Sequence, residues 1–159
     1  MKDVLEIASN LAKPFEGLHK VIGSEVHPYH DPVGYPTIGY GHLLSKKPYE
    51  DLSKFEIIDF KTAEQLLEKD MTYACSKAAE LSPVLLKAEN KLRWAAITDF
   101  CFNCGTYNYK ISTLKKKVDV EDWEEAQVQI KRWNKSRGRI LRGLTRRRNR
   151  EAELLAIDS

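Results

Sequence analysis

The sequence predicts an α+β chain, mostly α, with one small β region near the N-terminus. Two observations carry that prediction. Apolar residues recur at helical spacing, with capping signals, over most of the chain. Between Leu18 and His42 the texture differs: three prolines and four glycines fall between Val21 and Gly41, interleaved with Val, Ile and Tyr. Such punctuation among β-formers predicts a small twisted sheet with irregular turns.

Taken in order, Asp3 with Glu6 resembles a capping box opening a first helix. Leu5, Ile7, Ala8, Leu11 and Ala12 give that helix one apolar face, with Pro14 and Gly17 as its stop. After the β region, residues 46–59 read as a loop with a short helix. Thr62 and Gln65 form a second capping box before Ala63, Leu66, Leu67, Met71 and Ala74. Ser82 precedes Pro83 as an N-cap before a proline at the first helical position. Asn90 is placed to cap the stretch Leu92 to Cys104, which Gly105 ends. That stretch is apolar nearly all round, as a central buried helix would be. Helices over 122–133 and 139–157 complete the set.

At 159 residues, 42% of them apolar, the chain is sized for one domain and too apolar for disorder. No uncharged run reaches the roughly 20 residues of a membrane span, and the first fifteen residues lack the apolar core of a secretory signal. The expectation is a protein made in a cytoplasm. Three cysteines, Cys75, Cys101 and Cys104, are no disulfide framework, and Cys101-x-x-Cys104 alone is no zinc site. His19, His27, His30 and His42 follow no metal-ligand spacing, so no metal and no cofactor is expected.

Charge is uneven. Residues 131–150 hold ten Lys or Arg and no acid, which leaves 3 − 10 = −7 on the remainder. A basic face aimed at an anionic partner follows, with a bacterial envelope and nucleic acid as candidates. Ile140, Leu141, Leu144, Leu154 and Leu155 place this segment on a helix.

The chemistry concentrates between Phe15 and Leu44. Glu16, at the end of an apolar helix beside Phe15, is set for partial desolvation, which raises a carboxyl pKa and lets it donate a proton. Asp31, in a turn with Pro32 and Gly34, is in a wetter setting and stays ionised. Two carboxyls in divergent environments are what glycoside hydrolysis needs. Thr37, six residues beyond Asp31, is placed to help hold a water.

Here the chain resembles the phage-type lysozymes, or endolysins, of glycoside hydrolase family 24. The resemblance rests on Glu16-Gly17-Leu18 and on Tyr29-x-Asp31-x-x-Gly34-x-x-Thr37-Ile38-Gly39-Tyr40-Gly41-His42-Leu43. Further agreement comes from Phe100 to Gly105, Ser112 to Leu114, Trp123 to Ala126, and Gly143-Leu144-x-x-Arg147-Arg148. It implies a lysozyme-like fold in one catalytic domain, 1–159: a β-containing lobe over about 14–60 and a helical lobe over about 61–159 plus the N-terminal helix. It implies hydrolysis of the β-1,4 bond between N-acetylmuramic acid and N-acetylglucosamine in peptidoglycan, with inversion. A lytic transglycosylase is the alternative. The family pattern falls on Glu16 as general acid, Asp31 as the carboxylate that orients water, and Thr37 as its partner. Leu43, Phe102, Thr113 and Gln129 are the implied substrate contacts. Fourteen residues separate Glu16 from Asp31, six more than the family pattern, and the surplus is expected to lengthen a hairpin around Gly23 to Pro28. The implied partners are peptidoglycan and a holin that opens the host membrane from the cytoplasm. The chain is expected to be monomeric, to leave nucleic acid unbound, and to touch an anionic envelope through residues 131–150.

Overall fold

The structure, a computed structural model, describes Met1 to Asp158. It divides into two compact units: Met1–Phe15 with Met71–Ser159, and Glu16–Asp70. The architecture is α+β and mostly helical.

Glu16–Asp70 is the β-containing unit. It opens at the last residue of α1 (Lys2–Glu16). Two short sheets follow. β1 (Val21–Ile22) and β2 (Glu25–Val26) pair antiparallel around Gly23 and Ser24, and the His27 N–H closes the hairpin on the Lys20 carbonyl at 3.1 Å. β3 (Tyr29–His30), β4 (Pro36–Ile38) and β5 (His42–Leu43) form the second sheet, in that order, all antiparallel. A hairpin thus forms around Gly23, where the sequence places one, as a two-stranded sheet of its own beside the three-stranded one. Val26 anchors it: its N–H and C=O both pair with Ile58, and its side chain is buried with Ile38 and Ala63 in the core of this unit.

A short 3₁₀ turn, Leu52–Lys54, leads to α2 (Phe60–Leu81). The capping box expected at Thr62 is not the cap. Asp59 Oδ1 accepts from the Thr62 N–H at 2.7 Å, so the helix starts earlier. Asp3 likewise lies inside the first turn of α1, where its charge favours the helix N-terminus, and the chain passes Pro14 without breaking. A proline here costs the hydrogen bond to the carbonyl four residues back, close enough to the helix end for one turn to continue.

The helical unit is organised around α3 (Lys91–Cys104), in which every residue from Arg93 to Cys101 is buried. Its predicted cap, Asn90, instead uses its amide to donate to the Val84 carbonyl, and accepts from Arg93. Ser82 likewise exchanges a 2.7 Å hydrogen bond with the buried Tyr109 hydroxyl and caps nothing. Beyond Gly105 come α4 (Thr106–Lys110), α5 (Thr113–Asp119) and α6 (Trp123–Lys131), of which the sequence predicted only the last. Ser112 caps α5 and Asp122 caps α6 through their side-chain oxygens.

The predicted helix over 139–157 starts late. Lys135–Ser136 (β6) pairs with Arg139–Ile140 (β7), and α7 runs Arg142–Leu155. Ile140, 65% exposed, and Leu141 are therefore not part of its apolar face. The basic face also differs from expectation. Arg147 and Arg148 are buried, and the other eight basic residues of 131–150 are exposed. Arg147 grips the buried Asp99 through two hydrogen bonds of 2.7 and 2.9 Å. Arg148 serves Glu151, Asn103 and the Cys104 sulfur. α7 packs on both α3 and α6. All three cysteines are free; burial pushes the Cys104 thiol up to about 11, which leaves it an inert packing group.

Candidate active site

The densest set of candidate groups lies in the Glu16–Asp70 unit. Glu16 is half-buried at the end of α1. Its carboxylate approaches the Gly41 backbone, where a Cβ built on the glycine would stand 3.4 Å from Oε2. Gly41 has φ +86, which a residue with a side chain adopts only under strain, so glycine here serves the backbone conformation.

Asp31 follows β3 in a turn that returns the chain to β4. Its Oδ1 accepts two backbone hydrogen bonds, from Val33 at 2.9 Å and Tyr35 at 2.8 Å. Its own N–H donates to the Tyr35 carbonyl, and its carbonyl accepts from Gly34. Two N–H donors on one oxygen fix the plane of the carboxyl group.

Thr37 sits on β4 opposite Tyr29 on one side and Leu43 on the other. Directly opposed residues in antiparallel strands share a face, so these three line one face of the sheet. Thr37 is 4% exposed, and its hydroxyl donates to the Tyr35 carbonyl at 2.8 Å. With its one hydrogen committed there, Thr37 Oγ1 meets any further partner as an acceptor.

Tyr29 feels the charge of both carboxyls. Burial first, then the negative charges of Glu16 and Asp31, push its phenol up to about 12. Both charges therefore act on one side chain, although fourteen residues separate them in the sequence. Nothing in the sequence marks Tyr29 for this, because the effect comes from the packing of β3. The His42–Asp70 pair is another feature read only in three dimensions. His42 Nδ1 and Asp70 Oδ2 lie 2.7 Å apart and join β5 to α2.

The four expected substrate contacts fall in both units. Leu43 is exposed at the end of β5. Phe102, on α3, is half-buried with the Arg147 guanidinium 5.9 Å from its ring centre. Thr113 is exposed at the start of α5. Gln129 is buried on α6 and gives its amide to Glu125 at 2.9 Å. Among the described residues no three His, Cys, Asp or Glu side chains gather as metal ligands. The histidines have other company: His27 meets Glu25, His30 the Glu50 carbonyl, and His19 the Tyr29 ring.

Known proteins give this arrangement its context. Residues 15–151 match the family described as phage lysozyme. The chain is 30% identical over 157 residues to an endolysin of Bacillus phage B103, covering 96% of this chain and 53% of that one. It is 29% identical over 154 residues to a SAR-endolysin of bacteriophage PS34, covering 94% and 85%. Among solved structures, the muramidase domain of SpmX from Asticaccaulis excentricus superposes with a TM-score of 0.72 at 25% identity, over 93% of each chain. The chain spans about half the length of the Bacillus phage endolysins it matches. A match that runs from the end of α1 to Glu151, and so takes in Glu16, Asp31 and Thr37, makes the chain a member of the phage lysozyme family.

Proposed function

We propose that the chain is the catalytic domain of a phage endolysin, a muramidase that hydrolyses the β-1,4 bond between N-acetylmuramic acid and N-acetylglucosamine. The observation that carries the reading is geometric: one compact unit holds the Glu16 carboxyl beside Gly41 and the Asp31 carboxyl on two backbone N–H donors. Family membership gives that geometry its substrate class.

In the proposed step Glu16 gives its proton to the glycosidic oxygen, and the bond from that oxygen to the sugar C1 breaks. Positive charge spreads over C1 and the ring oxygen. A water donates one hydrogen to Asp31 Oδ2 and the other to Thr37 Oγ1, which turns a lone pair toward C1. Its oxygen bonds to C1 as its proton passes to Asp31. Glu16 is then ionised and Asp31 protonated, and exchange with solvent resets both. Attack on the face opposite the leaving oxygen inverts the anomeric centre, which calls for carboxyls roughly 6.5–9.5 Å apart. Leu43, Phe102, Thr113 and Gln129 are the proposed saccharide contacts.

The proposed setting is release from the host cytoplasm through a holin lesion, with a monomer acting on the wall. The eight exposed cations of 131–150 would draw it to an anionic envelope, an attraction that fades as salt rises. No described helix is long and apolar enough to cross a membrane.

The test is mass analysis of digested peptidoglycan. Hydrolysis yields reducing muramic ends; the transglycosylase alternative yields anhydro ends one water lighter. Anhydro products would overturn the hydrolytic reading, and proton NMR of the first anomer formed reports inversion.

A further inference from the structure

The turn that carries Asp31 is braced from outside by the loop after β5, and Tyr49 makes the contact. The Tyr49 N–H donates to the Gly34 carbonyl at 2.8 Å. Its ring lies so close over Gly34 that a Cβ there would fall 2.7 Å from the ring Cζ. The same ring meets His30 edge-on, with centroids 5.8 Å apart. His30 Nε2 in turn lies 2.9 Å from the carbonyl oxygen of Glu50 and donates to it. Residues 49 and 50 therefore hold the chain on both sides of Asp31, at His30 and at Gly34.

This brace is held in an unfavourable backbone. Tyr49 has φ +57, a left-handed conformation that is unfavourable for a residue with a side chain. Burial does not offset that cost, because Tyr49 is 73% exposed. What the strained backbone gains is contact with the Asp31 turn. Gly34 contributes the other half: φ +98 and a missing Cβ let the ring lie on the backbone. Strain of this kind gathers where a functional geometry must be held.

We propose that Tyr49 is a positioning residue for Asp31. Its ring and N–H keep the Asp31–Tyr35 turn closed, so that the Val33 and Tyr35 N–H groups stay aimed at Oδ1 and Oδ2 faces the reacting water. The inference rests on the reading of Asp31 as the carboxylate that activates water. A misplacement of about 1 Å in such a group can cost about a hundredfold in turnover.

Steady-state kinetics on soluble, lightly crosslinked peptidoglycan fragments test it. Tyr49→Gly removes the ring but suits the backbone at φ +57, so loss of fold does not mimic loss of function. The expected result is a kcat lowered about tenfold or more with KM within about twofold, and a melting temperature close to wild type. Tyr49→Phe, which keeps ring and N–H, should restore kcat to within about twofold of wild type. Tyr49→Asn, which also tolerates this backbone, is a second ring deletion and should behave like the first. An unchanged kcat in both deletions overturns the proposal. So does a rise in KM alone, which would make the exposed ring a sugar platform. Asp31→Asn serves as the control: wild-type turnover in that variant would defeat the reading of Asp31 itself, whereas its loss beside an unchanged Tyr49→Gly defeats only the brace.

Discussion

Glu16→Gln keeps the shape of the side chain and removes its acid. If Glu16 protonates the leaving oxygen, cell-wall clearance should fall about 10²- to 10⁴-fold with the melting temperature unchanged. Wild-type clearance would end that assignment. Thr37 allows a finer test, because its hydroxyl donates to the Tyr35 carbonyl and, in the proposed step, accepts from water. Thr37→Val keeps the branching and loses both bonds, so turnover should drop by about fivefold or more; Thr37→Ser should retain most of it. At Gly41, alanine would impose a Cβ on φ +86, in ordinary contact with the Glu16 carboxyl. Stability should fall by about 1 kcal/mol or more, and turnover with it, as thermal melts and clearance assays on one preparation would report. Glu16, Asp31 and Thr37 stand out in the sequence because they sit in a dense string of glycines, aromatics and polar residues. Tyr49 lies outside that string and does not, because its importance is a contact with Gly34, fifteen positions away.

Helices and strands answer to local chemistry wherever the local signals have no competitor. α3 ends before Gly105 and α6 begins after Asp122, both as their sequences predict. Two of the errors share a cause: a polar side chain able to cap locally found a better partner elsewhere. Ser82 turned to Tyr109, and Asn90 to Val84 and Arg93. At α2 the opposite happened, and Asp59 outcompeted Thr62 as the cap. Asp59→Ala should therefore cost about 1 kcal/mol, or about 2–4 °C in Tm, in a calorimetric melt, while Thr62→Ala costs much less. Equal effects would return the cap to Thr62. The helix predicted from residue 139 failed for another reason. Apolar spacing through Ile140 and Leu141 matched a helix, but Arg137 and Gly138 make a hairpin turn there that periodicity does not register.

Across the whole molecule, the buried charges of the helical unit carry the clearest pH signature. Glu151 is fully buried beside Arg148, which favours its ionised form. Burial and the neighbouring Asp99 outweigh that pull and hold its carboxyl well above the usual range. The native state therefore keeps a proton that the unfolded chain gives up above about pH 4.3. This contribution to stability is complete below that pH and declines as pH rises toward the folded pKa, by at most about 1.4 kcal/mol per unit. Glu151→Gln, permanently neutral, should flatten the decline in chemical denaturation series between pH 5 and 8, a range chosen around neutrality. An unaltered slope would show Glu151 to be ionised in the folded protein.

Sequence alone determined the class of fold, the order of its main helices, the position of the β region and the residues that tie the chain to its family. Those properties reside in periodicity, turn residues and a contiguous string, each readable within a window of a few turns. Tertiary structure alone decided that Arg147 and Arg148 leave the basic surface for the core, that the hairpin around Gly23 is tied to Ile58, and that Tyr49 braces the Asp31 turn. In each case the deciding partner is distant in the chain: Asp99 for Arg147, Ile58 for Val26 at the end of that hairpin, and Gly34 for Tyr49. Burial and hydrogen bonding between such positions exist only once the backbone has brought them together, and no local pattern encodes them.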